Sequence, residues 1–122
     1  MTPIDVKKLS VEELVRRFVE LTTRQDKAIY DDDNRRYNRL FDQMMETETE
    51  LKSRPGDQRR ALCVLHSHHN MQVRLMAAQA TMEVALVQTR PVLEDIAKSG
   101  WYPQAADAGL ALARLDGRRI VL

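Results

Sequence analysis

Four side chains suited to metal chemistry crowd into seven residues: Cys63, His66, His68 and His69. A thiolate and imidazoles are ligands that zinc favours, and Cys63 and His66 fall on one face of a helical segment. A structural zinc site, however, takes paired ligand groups well apart in sequence, so that four donors can surround the ion. No second cluster exists here. The residues therefore read as a half-buried thiol near a helix end and two turn histidines, with no metal and no cofactor expected. The run Asp31-Asp32-Asp33-Asn34 invites a divalent cation, but it lacks the alternating ligands and the distal glutamate of a calcium loop. Helix capping explains it more simply.

Catalytic constellations are equally hard to assemble. The sequence holds no nucleophile elbow, no phosphate-binding glycine loop, no HExxH and no paired-cysteine motif. No catalytic residue is assigned, and the chain reads as a non-enzyme. Its 19 basic and 18 acidic side chains leave a net charge of +1, which argues against a general polyanion binder. Fourteen of the 19 are arginines, among them Arg59, Arg60, Arg74, Arg90 and Arg114. A small nucleic-acid binder thus stands as the alternative function, and an enzyme with an unrecognised site as a third.

Whatever the chemistry, helices must position it. Ser10 and Glu13 have the spacing of a capping box. Leu14, Phe18 and Leu21 follow at helical intervals, predicting a first helix over 11–30. A second is predicted from the Asp/Asn turn to Ser53, with Tyr37, Leu40, Phe41, Met44, Met45 and Leu51 inward; Pro55-Gly56 ends it. Its arginines lie at its start and its glutamates at its end, against its own macrodipole. Antiparallel packing would bring those glutamates beside Lys7, Lys8, Arg16 and Arg17.

The rest of the chain repeats itself. Shifted by 31 positions, residues 60–84 fall without a gap on residues 91–115: Leu62 on Leu93, Leu65 on Ile96, Ala77 on Ala108, Ala80 on Ala111 and Val84 on Leu115. A unit of this size is a helix-turn-helix that must stack on a neighbour to bury its apolar face. Helices are predicted over 57–66, from Met71 to about Leu86, from Pro91 to Gly100, and from the Trp101-Tyr102-Pro103 turn to Gly117. The Met71 helix is apolar nearly all round and is expected to be the most buried, between the N-terminal hairpin and the last repeat.

Asn70-Met-Gln-Val73-Arg74, followed by Ala77-Ala78 and Ala80, resembles the turn and second helix of a HEAT repeat. In the second unit Gln104-Ala105 replaces Val-Arg. Over its length the chain also resembles a small family of bacterial HEAT-like proteins of unknown function. The shared features are the stretch from Glu13 to Val19, the segment Asn38-Arg39-Leu40-Phe41-Asp42, and Val73-Arg74-x-x-Ala77-Ala78. The resemblance implies an all-α, HEAT/armadillo-like right-handed α-α superhelix of about six helices in three antiparallel pairs. It would form one domain over 1–122: a hairpin over 10–53 and repeats over 57–86 and 88–117.

HEAT-like units serve protein binding most often, so a non-catalytic protein-interaction module is the expected function, with a partner of unknown identity. The expected surface is Ala106, Leu110 and Ala113 on the outer face of the last helix, flanked by Arg74 and Arg114. Either the apolar tail Ile120-Val121-Leu122 covers that face or another molecule does, a homodimer being favoured. With one cysteine, no apolar run behind the N-terminal lysines and no stretch long enough to cross a bilayer, a cytoplasmic protein is expected.

Overall fold

The computed structural model describes residues 3–117, and among these every regular element is helical and none is a strand. Five α-helices, α1 (Val11–Tyr30), α2 (Asn34–Ser53), α3 (Met71–Thr81), α4 (Leu86–Lys98) and α5 (Gln104–Leu115), are joined by a short 3₁₀ turn at Val6–Lys8 and a long 3₁₀ segment at Gln58–Ser67. Helical structure thus occupies all six expected places. The chain divides into two compact units, residues 1–62 and 63–122.

In the first unit, local chemistry sets the helix ends. Ser10 Oγ accepts from the Glu13 N–H and the Glu13 carboxylate accepts from the Ser10 N–H, closing the capping box. These bonds to Ser10 hold the Glu13 carboxyl below the usual range. Asp33 Oδ1 caps α2 by accepting from the Arg36 N–H, while Asp32 takes the left-handed conformation that the turn demands. The acidic run is spent on this turn: Asp31 also receives Lys27 at 2.8 Å and Arg36 at 3.1 Å.

α1 and α2 pack antiparallel. Leu21 and Ala28 meet Leu40, with Tyr37 beside them, and the Gln25 amide donates to Met44 Sδ. Phe41 and Met45, expected inward, are more than a third exposed, whereas Thr47 is buried and spends its hydroxyl on the Gln43 carbonyl. At the acidic end of α2, Lys7 lines one cleft with Glu46 and Glu50. The tie to the N-terminal segment is Arg54, which pairs with Glu50 and donates to the Val6 and Leu9 carbonyls.

Two expectations need correction. Residues 58–67 form a 3₁₀ rather than an α-helix, ten residues where such runs usually stop at three or four. The pattern suits three residues per turn: Arg59, Leu62 and Leu65, each three apart, are its buried side chains. Asp57, itself left-handed, holds the Arg59 guanidinium at 2.7 Å. The helix starting at Met71 ends at Thr81, not near Leu86, and α4 begins five residues before Pro91. Thr81 lies at the break. Its hydroxyl bonds back to the Ala77 carbonyl and meets Thr89 Oγ1 at 2.9 Å, tying the end of α3 to the first turn of α4. Pro91 is then carried inside α4, where the carbonyl it cannot satisfy belongs to the solvent-exposed Val87.

α3 packs against α4 and α5 and is the most thoroughly buried helix of its unit, with Gln72, Val73, Leu75–Ala78, Ala80 and Thr81 all buried. Asn70 Oδ1 caps it by accepting from the Gln72 and Val73 N–H groups. Gly100 and Gly117, both at positive φ, follow the ends of α4 and α5 as expected. The burial pattern follows the 31-residue offset. Leu62, Leu65, Ala77 and Ala80 are buried, as are Leu93, Ile96, Ala108 and Ala111, while Val84 and Leu115 are both half-buried.

Candidate functional site

The last helix separates two faces cleanly. Ala105, Ala108 and Ala111 are buried; Ala106 and Leu110 are exposed, Leu110 to 48%, and Ala113 is half-buried beside them. Spacings of four and three place Ala106, Leu110 and Ala113 along one stripe of the outer face. Arg114 is exposed near its end, and Asp107 on the same helix has its carboxyl pushed up by burial, an effect that Arg114 opposes. Arg74 on α3 is half-buried, and its Nε is enclosed without a hydrogen-bond partner. The tail residues Ile120, Val121 and Leu122, the alternative cover for this stripe, lie outside the described residues.

The histidines do not converge with Cys63. Among the described residues no three His, Cys, Asp or Glu side chains lie where they could hold one metal ion. His66 Nε2 instead lies 2.9 Å from Thr81 Oγ1. The same Thr81 oxygen also reaches the Ala77 carbonyl and Thr89 Oγ1. His68 stacks on His69 at 4.3 Å and accepts from the Asn70 N–H at Nδ1. Both His66 and His68 favour the neutral form more than a free imidazole does. Burial lowers the pKa of each, and for His68 the neighbouring His69 and Arg74 lower it further.

These depressed values set a pH dependence. As pH falls below about 6.5, the unfolded chain takes up protons that the folded chain refuses, so stability declines. The opposite shift of Asp107 acts only near the carboxylate range. We expect the urea midpoint to fall between pH 7.5 and pH 5, and the slope to flatten in a His66→Asn/His68→Asn double variant. A pH slope unchanged in that variant would show that neither ring titrates as described.

Clefts open along the first unit among the described residues. One, about 620 Å³, runs beside the 3₁₀ turn and carries Asp5, Asp42, Glu46 and Glu50 along with Lys7. A second, about 410 Å³, is lined by Arg24, Lys27, Arg36, Arg39, Leu40 and Gln43. A third, about 440 Å³, lies between Ile4, Leu9 and the α1 residues Glu13, Arg16, Arg17 and Glu20. None of the three was legible in the sequence, because each needs the register of one element against another.

Sequence reasoning also missed a polar pair. Gln72 and Gln104 are both buried, and Gln104 Nε2 donates to Gln72 Oε1 at 2.9 Å. The signal was present in the repeat, where Gln104 falls at the position of the apolar Val73.

The helices and these surfaces define an all-α protein in which no helix among the described residues is long and apolar enough to cross a membrane. Residues 12–116 match the model of a family described as a domain of unknown function (DUF2019), and the chain belongs to that family. It is similar to the crystal structure of the protein RPA1889 from Rhodopseudomonas palustris CGA009. The two are 44% identical, with a TM-score of 0.92, over 98% of this chain and 99% of that one. No curated protein matches the chain.

Proposed function

We propose that this chain is a HEAT-like helical-repeat scaffold, a right-handed α-α stack of antiparallel pairs, that works in the cytoplasm by binding another protein and catalyses no reaction. The observation that carries this reading is the outer face of α5. Ala106, Leu110 and Ala113 form an apolar stripe turned to solvent, on the helix whose other face is already filled by Ala105, Ala108 and Ala111. A terminal repeat normally turns a polar face to water. The paired burial at the 31-residue offset supports the repeat reading.

Nucleic-acid binding is the weaker alternative because two of the repeat arginines are already engaged. Arg59 is 7% exposed and bound to Asp57, and Arg90 makes a bidentate pair with Asp116 at 2.7 and 2.9 Å.

The stripe is self-complementary in character, so a homodimer is its simplest occupant. Sedimentation equilibrium is expected to show a dimer that Leu110→Glu converts to a folded monomer. A photo-crosslinking residue at position 110 would report a different protein partner in cells, as an adduct absent when the crosslinker replaces exposed Lys98. A wild type that stays monomeric at high micromolar concentration and forms no position-specific adduct would overturn the proposal.

A further inference from the structure

The cleft between the second half of α1 and the first half of α2 concentrates positive charge. Its lining is Arg24 and Lys27 from α1 and Arg36, Arg39, Leu40 and Gln43 from α2, four cations and no acid. Arg36 and Arg39 lie in the first two turns of α2, whose first turn contains no acidic residue. The helix macrodipole is already positive there, so cations at that end weaken the helix rather than support it.

Nearby carboxylates neutralise this charge only in part. Glu20 meets Arg24 at 2.8 Å, but both side chains are 61% exposed, and such a pair gives up its carboxylate at little cost. Asp31 is shared between Lys27 and Arg36, and Asp33 stands 3.9 Å from Arg36. Arg39 forms no ion pair or hydrogen bond among the described residues, so the cleft keeps a full guanidinium fork available. Its apolar floor is Leu40, 6% exposed and packed on Leu21 and Ala28, which fixes the helix that carries Arg36 and Arg39. Gln43 adds an amide at the rim.

We propose that this cleft binds the phosphate group of a small phosphorylated molecule. Guanidinium forks match phosphate oxygens two at a time, which a scatter of surface lysines would not do. The volume of about 410 Å³ is within the range of small-ligand sites. A net charge of +1 over the whole chain favours a compact anion over a long polyanion. The cleft lies wholly within the first unit and is independent of the α5 stripe.

Pyrophosphate is the probe, titrated at constant ionic strength and followed by amide chemical shifts. Saturable changes confined to residues around 24–43 are expected, with a dissociation constant below about 1 mM. Arg39→Gln, at an exposed position that leaves the fold intact, is expected to weaken binding about tenfold or more. Arg35→Gln, one turn away and outside the lining, is expected to leave it unchanged. Equal affinity in wild type and Arg39→Gln would overturn the proposal, as would no saturation by about 10 mM pyrophosphate. So would tighter, Arg39-dependent binding of a DNA or RNA duplex, which would make the cleft part of a nucleic-acid surface instead.

Discussion

Leu75→Ala is expected to lower the free energy of unfolding by about 2–5 kcal/mol, the range for removing a leucine side chain from a packed interior. Leu75 is fully buried on α3, the helix whose side chains are enclosed on nearly every side. Truncation there loses the transfer energy of the removed carbons and leaves a cavity that surrounding atoms fill only in part. Relaxation is limited because α3 is closely packed, with Gln72, Val73, Met76, Ala77 and Ala78 around Leu75 on the same helix also buried. Marginal stability makes such a loss a large fraction of the total. Urea denaturation of wild type and variant, with comparable m-values, measures it. A difference below half a kilocalorie would mean that the Leu75 face of α3 opens to water.

How far these features were readable depends on where the information lies. α1 and α2 follow the sequence closely because their ends are set by residues acting on their own neighbours: Ser10 with Glu13, Asp33 with Arg36, and Pro55-Gly56. The stripe of Ala106, Leu110 and Ala113 was legible for a related reason, since the repeat assigns one face of α5 to the interior and leaves this one over. The break after Thr81 was not. Met82-Glu83-Val84-Ala85 contains no glycine, proline or asparagine, and the break is stabilised instead by the side-chain contact between Thr81 and Thr89. The 3₁₀ form of residues 58–67 was hidden because Leu62 and Leu65, three apart, suit either kind of helix. The arginine cleft depends on two helices at once. Read along the chain, Arg24 and Lys27 look like ordinary partners for Glu20 and Asp31, and only the antiparallel register brings them to Arg36 and Arg39.

Gln72→Met is expected to cost about 1–3 kcal/mol although it exchanges a polar side chain for an apolar one of similar shape in a buried site. Gln104 is 2% exposed, and its Nε2 donates to Gln72 Oε1. Its own Oε1 is buried without a partner, so Gln72 supplies what satisfaction the Gln104 amide has. Removing Gln72 therefore leaves a whole amide buried and unpaired, and that desolvation penalty dominates the change. The asymmetry of buried hydrogen bonds then makes a second, sharper prediction. Replacing both partners removes the stranded group, so Gln72→Met/Gln104→Met is expected to recover most of the loss. Thermal and urea unfolding of the two single variants and the double variant complete the cycle. If the double variant were as unstable as the sum of the singles, the two amides would not depend on each other. Gln104 would then be satisfied by something other than the contact that joins the first turns of α3 and α5.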